Sequence, residues 1–232
     1  MARISIMEGP FGARLAHARA ARRLVASLLG GSLVLALAWP GTLHATCTAV
    51  PKAPLDADSP AGVIDEPARA WTFDRWVDTK PLTLDSLRGK VVLIRWFNTG
   101  CHYCGNTLPA LETLRTRYAD QGLVVIGIFH PKPIHPVSDA FVRKSAHDLG
   151  FHGALAVDEK WSTLDRWWLN GHPDRNWTSV SFLIDCDGVV RWVHGGGEYH
   201  PSPDPRHAAC DVRYAEHERT IRRLLDARAA AR

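Results

Sequence analysis

Apolar residues run along this chain in three rhythms, and each change of rhythm marks an element. Val91 to Phe97 is apolar apart from Arg95 and is bounded by Gly89 and by Asn98-Thr99-Gly100, which predicts a strand buried on both faces. Leu108, Leu111 and Leu114 then recur at helical spacing and predict a helix from about Cys104 to Tyr118. A second apolar run, Leu123 to Phe129, follows Gly122, and two such strands around one helix make a right-handed βαβ unit. Further on, residues 138–149 read as a helix, 154–157 as a short strand, and Lys160 to Leu169 as a helix with Trp161, Leu164 and Trp168 on one face. Phe182-Leu183-Ile184 and Val189 to Val193 flank Asp187-Gly188, a strong hairpin signal. The last helix covers roughly 211–229, with Ile221, Leu224 and Leu225 facing inward. Upstream, Trp71, Phe73, Trp76 and Val77 predict a strand or hairpin, followed by a short turn at Asp85-Ser86-Leu87. This order predicts an α/β sandwich whose central sheet mixes parallel and antiparallel strands and is flanked by helices.

The first 45 residues follow a different pattern. Arg14, Arg19, Arg22 and Arg23 precede an apolar run from Leu24 to Ala38, then Pro40-Gly41 and small residues near Ala45, the layout of a secretory signal peptide. Retention as a membrane anchor through residues 24–38 is the alternative, although the run is short of the ~20 residues of a spanning helix. Either route predicts a periplasmic or otherwise extracytoplasmic protein, in a compartment where disulfides persist. Prolines at 51, 54, 60 and 67 make 46–68 an extended linker, so the folded domain is expected over 69–232.

Charge and composition narrow the function. Of the formal net charge of +4, all is carried by the leader, with five arginines against one glutamate. The remainder is neutral, which removes the argument for the basic face that a nucleic-acid partner demands. The 46% apolar content supplies a continuous core, and the nine tryptophans read most simply as packing.

The candidate chemistry is Cys101-His102-Tyr103-Cys104, at the junction where the buried strand ends and the helix begins. Two thiols at this spacing can interconvert between dithiol and disulfide. If Cys101 caps the helix, the free N–H groups and the positive end of the helix dipole stabilise its thiolate, and a protonated His102 adds a nearby charge. Cys101 is then the nucleophile and Cys104, one turn on, the resolving thiol. A c-type haem is excluded because Gly105, not histidine, follows Cys104. The metal-binding alternatives are zinc held by Cys101, Cys104, His130 and His135, whose spacing is wrong for a zinc finger, and copper held by the same thiols with His130.

Four stretches together resemble the thioredoxin superfamily, in its extracytoplasmic redoxin branch of TlpA/ResA-like thiol-disulfide oxidoreductases. They are Leu87-Arg88-Gly89-Lys90-Val91-Val92-Leu93, Trp96-Phe97-Asn98-Thr99-Gly100-Cys101, Pro109 in the first helix, and Phe182-Leu183-Ile184-Asp185-Cys186-Asp187-Gly188. The resemblance implies a thioredoxin-like sandwich, Cys101 and Cys104 as the catalytic redox-active pair, no cofactor, disulfide-bearing protein substrates and a thiol electron donor. Reduction of partner disulfides is the expected direction. Three positions depart from the family pattern: Gly100 where relatives carry tryptophan, Ser179 where they carry a cis-proline, and Arg95 where many carry a buried acid.

Arg95, His102, His130 and Ser179 are therefore candidate tuning residues, each with a plainer reading as a packed strand residue, a solvated side chain or a strand cap. A peroxiredoxin-like peroxidase is the competing enzyme, but Ile94 and Asn98 stand where its P-x-x-x-T-x-x-C pattern has proline and threonine. A thioredoxin-like module that uses the dithiol to bind metal is the non-enzymatic alternative. Cys186 and Cys210 are a candidate structural disulfide, which leaves Cys47 free, lipidated or lost with the leader.

Overall fold

The computed structural model describes residues 62–230; the expected leader, anchor, most of the linker and Cys47 lie outside them. Six strands form one sheet in the order β1-β4-β3-β2-β5-β6. In chain order the elements are β1 (Arg75–Val77), β2 (Val91–Phe97), α1 (His102–Tyr118), β3 (Leu123–Phe129), α2 (Asp139–Asp148), β4 (Ala154–Val157), α3 (Ser162–Leu164), β5 (Ser181–Ile184), β6 (Val190–His194) and α4 (Ala208–Ala230).

β2 is central and every one of its residues is buried. It runs parallel to β3, with Val91 opposite Leu123 and Phe97 opposite Phe129, and antiparallel to β5, with Val92 opposite Ile184 and Arg95 opposite Ser181. Side chains of a strand alternate between faces. Val91, Leu93 and Phe97 accordingly pack with Leu108, Leu111 and Leu114 of α1, Val142 of α2 and Ile221 and Leu224 of α4. Val92, Ile94 and Trp96 pack on the other face with Leu164, Trp167, Trp168 and Phe182. The mixed sheet covered by helices is the architecture that the apolar pattern predicts. No helix among the described residues is long and apolar enough to cross a membrane.

Two elements differ from expectation, both for packing reasons. In place of one helix over 160–169, Trp161 is left-handed at φ 61°, α3 is a single turn, and Asp165–Leu169 is a π-helical stretch. The wide turn is closed by Asn170 N–H donating to the Asp165 carbonyl at 2.8 Å, and both Trp167 and Trp168 are buried in the core. Asp158 anchors the entrance by accepting from Thr163 N, Leu164 N and Trp96 Nε1 at 3.1, 2.7 and 3.0 Å. The expected strand from Trp71 is short, because Trp71 and Phe73 stack on each other and on the Trp96–Trp167 cluster while only Arg75–Val77 pairs with β4. The end of the expected linker also joins the fold, with Asp65 N and Ala68 N donating to the carbonyls of Val190 and Gly188 at the hairpin.

The hairpin is organised by one buried carboxylate. Asp185 Oδ1 accepts from Asp187 N and Val189 N at 2.9 Å each, and Oδ2 accepts from Arg191 Nε at 2.6 Å, while Arg191 also reaches Asp65 at 2.8 Å. Gly188, at φ 79°, closes the turn where a side chain is disfavoured. The hairpin thereby sets the register of β5.

On the α4 side of the sheet, His194 and His217 are buried, and His217 stacks on Trp192 with ring centroids 4.0 Å apart. Burial, with the Arg95 charge adding to it, lowers the His217 pKa to about 3. Neither ring nitrogen of His217 has a hydrogen-bond partner among the described residues.

Two outcomes are expected. Asp185→Ala leaves two turn N–H groups unpaired and Arg191 with Asp65 as its remaining acidic partner, so urea unfolding should show a loss of about 3 kcal/mol, with Asp185→Asn losing less. Because His217 takes up its proton in the unfolded chain near 6.5 and in the folded chain near 3, the unfolded state holds more protons in that window. Stability is then fully present above pH 6.5 and lost as pH falls toward 3, with a slope of up to about 1.4 kcal/mol per pH unit from this one group. His217→Phe should flatten the pH dependence of the urea midpoint between pH 6.5 and 4.5.

Candidate active site

β2 delivers its last residue, Phe97, to the end of the sheet, and the turn Asn98-Thr99-Gly100 leads into α1. Cys101 N–H donates to the Asn98 carbonyl at 3.4 Å, and Cys104 N–H to the Cys101 carbonyl at 3.0 Å. Cys101 is the residue before the first turn of α1, with extended backbone angles and no side-chain cap bond. The free N–H groups of that turn and the positive end of the helix therefore lie beside its sulfur. Cys101 and Cys104 form a disulfide with Cα atoms 5.3 Å apart. Their exposure is unequal: Cys101 is half-buried and Cys104 is fully buried. A partner sulfur can reach the first and not the second.

Ser179 lies directly against the pair. Its hydroxyl donates to Cys101 Sγ at 3.2 Å and lies 3.4 Å from Cys104 Sγ. The chain here is extended, held by Trp96 N–H donating to the Val180 carbonyl at 3.0 Å, and enters β5 two residues later. Ser179 and Ser181 consequently point to the same face. In the dithiol form the Cys104 S–H can donate to Ser179 Oγ while the Ser179 O–H donates to a Cys101 thiolate, which places the negative charge on the accessible sulfur.

Arg95 sits behind this serine, fully buried. Its guanidinium donates to Ser181 Oγ at 3.2 Å and to the Gly197 carbonyl at 2.8 Å, and stands over the Tyr199 ring at 5.6 Å. Tyr199 OH and Ser181 Oγ are 2.9 Å apart. Burial lowers the Arg95 pKa to about 10, with Tyr199 and Glu198 opposing the shift. The side chain remains a fixed cation one residue pair from Ser179 and has no hydrogen bond to either sulfur.

The other two candidates sit differently. His102 is exposed and meets Tyr103 edge-on. His130 is fully buried, out of reach of a docking chain, where its Nε2 is 3.4 Å from Asn98 Nδ2 and its ring meets Trp161 edge-on. Burial, then the Lys132 and Arg95 charges, lowers its pKa to about 3, so it is neutral at pH 7 and accepts from Asn98. His130 therefore braces the turn before Cys101 and does not line a surface. With the sulfurs bonded to each other and His130 engaged in this way, the four ligands Cys101, Cys104, His130 and His135 do not assemble. His135 Nδ1 instead lies 2.7 Å from the Pro133 carbonyl.

Two residues at the site were not singled out from sequence. Trp177 is 48% exposed and packs edge-on against Tyr103 at 5.6 Å, so an aromatic surface stands beside the dithiol although Gly100 carries none. The proximity of Trp177 to Ser179 in sequence was the available signal. Tyr199 comes from the loop after β6, and its approach to Ser181 and Arg95 is purely tertiary. The expected Cys186–Cys210 bridge is overturned, since Cys210 has a free thiol. Cys186 lies at the hairpin, where its carbonyl accepts from Gly89 N before β2 begins, whereas Cys210 starts α4 beside the loop that contacts α1.

The comparisons agree with this geometry. DipZ of Mycobacterium tuberculosis (strain CDC 1551 / Oshkosh) is 36% identical over 129 residues, covering 54% of this chain and 18% of that protein. The thiol-disulfide oxidoreductase ResA of Bacillus thuringiensis (strain Al Hakam) is 25% identical over 114 residues, covering 49% of this chain and 60% of ResA. The chain thus spans less than two thirds of either relative. The crystal structure of a thiol:disulfide interchange protein of the thioredoxin family from Chlorobium tepidum TLS superposes with a TM-score of 0.51 at 23% identity, over 71% of this chain and 99% of that one, and shows the fold to be thioredoxin-like. The model of the AhpC/TSA family matches residues 64–193, more than half of the sequence, including the dithiol and all of the sheet but its last residue, and the chain belongs to that family.

Proposed function

We propose that this protein is an exported thiol-disulfide oxidoreductase that reduces disulfides of partner proteins. The observation that carries the reading is the asymmetry of the dithiol: an accessible Cys101 at a helix N-terminus, hydrogen-bonded by Ser179, beside a buried Cys104. The Cys101 thiolate attacks one sulfur of a partner disulfide, forming a mixed disulfide and expelling the other partner sulfur as a thiolate. Cys104 then loses its proton and attacks Cys101 Sγ, forming the intramolecular disulfide and releasing the second partner thiolate. Two electrons pass to the partner, which leaves with two thiols, and a thiol donor restores the pair. Tyr103 and Trp177 offer the apolar surface on which the partner segment rests. Arg95 holds Ser181 and with it the segment that carries Ser179, His130 holds the turn through Asn98, and His102 lies exposed at the rim. The arginine-rich apolar leader and the use of a disulfide support action outside the cytoplasm.

Membership of the AhpC/TSA family supports peroxide reduction as a second reading. Against it stand Ile94 and Asn98 at the positions of the peroxidatic proline and threonine.

Exported Cys104→Ala protein should accumulate mixed disulfides through Cys101, seen as thiol-sensitive higher bands in non-reducing gels and absent from Cys101→Ala/Cys104→Ala. Failure to trap any partner, together with turnover of hydrogen peroxide by the unmodified protein, replaces this reading with the peroxidase. Ser179→Ala removes a hydrogen bond to an anion, worth about 1.5–3 kcal/mol, so the Cys101 pKa should rise by about one to two units. The pH dependence of iodoacetamide alkylation of the reduced protein measures it, and an unchanged profile denies Ser179 a tuning role.

A further inference from the structure

Away from the dithiol, the loop after β6 and the start of α4 bring together four side chains that the proposed activity does not use: Glu198, His200, His207 and Cys210, each half-buried. One donor atom from each lies within 4.8 Å of all the others. The individual separations are shorter. Glu198 Oε1 is 3.2 Å from His207 Nδ1 and 3.6 Å from Cys210 Sγ, Cys210 Sγ is 3.8 Å from His207 Nδ1, and Glu198 Oε2 is 3.8 Å from His200 Nε2. A zinc ion with bonds of about 2.0–2.1 Å to nitrogen or oxygen and about 2.3 Å to sulfur holds its tetrahedral ligand atoms roughly 3.3–3.7 Å apart. The three edges among Glu198 Oε1, His207 Nδ1 and Cys210 Sγ are nearly these, and His200 closes the set with a donor atom within 4.8 Å of the others.

Three further features are those of a ligand set. His200 Nδ1 lies 3.2 Å from the Pro201 carbonyl, which can only accept, so the proton is on Nδ1 and the lone pair on Nε2. That Nε2 is buried and has no hydrogen-bond partner among the described residues. Glu198 divides its carboxylate, with Oε1 toward His207 and Cys210 while Oε2 accepts from Asn106 Nδ2 at 2.8 Å, the outer hydrogen bond that orients a metal-binding carboxylate. A thiolate, a carboxylate and two neutral imidazoles balance a divalent charge.

We infer that Glu198, His200, His207 and Cys210 form a binding site for a divalent zinc ion. Four protein ligands fill a tetrahedron, so the role is structural. The ion joins the loop after β6 to the first turn of α4, and Asn106 carries that constraint to α1 two residues after Cys104. The spacing Glu198-x-His200, then His207-x-x-Cys210, is visible in the sequence, but only the fold closes the two halves on each other.

The test uses the full chain and zinc alone, with metal content after desalting and the zinc-induced rise in melting temperature as readouts. One zinc per chain is expected in the unmodified protein and in Cys101→Ser/Cys104→Ser, and none in Cys210→Ala or in His207→Ala with native circular dichroism. The rise in melting temperature should vanish in the same two variants. Asn106→Ala should weaken zinc binding by roughly 10- to 100-fold. Absence of stoichiometric zinc in the unmodified protein overturns the inference, as does zinc that is lost from Cys101→Ser/Cys104→Ser and kept by Cys210→Ala, which assigns the metal to the dithiol. Because the zinc readouts need no disulfide exchange, their outcome is separate from that of the trapping experiment.

Discussion

Exclusion of water from both faces of β2 is the constraint on which the rest depends. Seven successive residues lose their solvent, so each neighbour must supply either a ladder of backbone hydrogen bonds or an apolar cover. β3 and β5 supply the ladders; α1 with α4, and Trp167 with Trp168, supply the covers. The strand ends in a turn that feeds α1, so its register also sets where Cys101 meets the helix N-terminus. β5, aligned by the Asp185 hairpin, brings Ser179 to the same point from the other side. The dithiol is thus held between two neighbouring strands and a helix end, and its two sulfurs differ in exposure for that reason.

A cation inside this core needs compensation of its own. Arg95 lies on the α1 and α4 face with a hydroxyl, a carbonyl and a tyrosine ring as partners. Desolvation of a charge is expensive, and these dipoles offset part of it. Its field, added to burial, keeps His194 and His217 neutral near it. The same guanidinium grips Gly197 next to Glu198, which ties the loop after β6 to the central strand. In this way Arg95 of the central strand and the loop after β6 belong to one structural unit.

Much of the fold was legible because its long elements carry clean periodicities. Val91–Phe97 and Leu123–Phe129 coincide with the two apolar runs, and α1, α2 and α4 fall within a few residues of their predicted limits. The segment around Trp161–Leu169 was less legible, since its apolar pattern fits an α-helix and the π turn that carries the buried Trp167 and Trp168 is a tertiary outcome. Trp71 and Phe73 misled in the opposite sense: aromatic residues suited to a strand were taken up by a neighbouring aromatic cluster. Among the site residues, the cysteine pair was readable from spacing at a strand–helix junction. Whether His130 touched solvent was not, because burial belongs to the assembled molecule.

The sequence by itself determined the elements, the dithiol and its family, because strand and helix periodicity and the spacing of Cys101 and Cys104 are local properties. Tertiary structure decided which sulfur is accessible, that Ser179 bonds to it, that Trp177 provides the surface Gly100 lacks, and that Cys210 faces Glu198 and His207 and not Cys186. Apart from Cys210–His207, three positions apart, those relations join distant residues, 12 positions for Cys210–Glu198 and 78 for Ser179–Cys101. Nothing in a local pattern encodes them; they follow from the sheet order and from which face each strand residue presents.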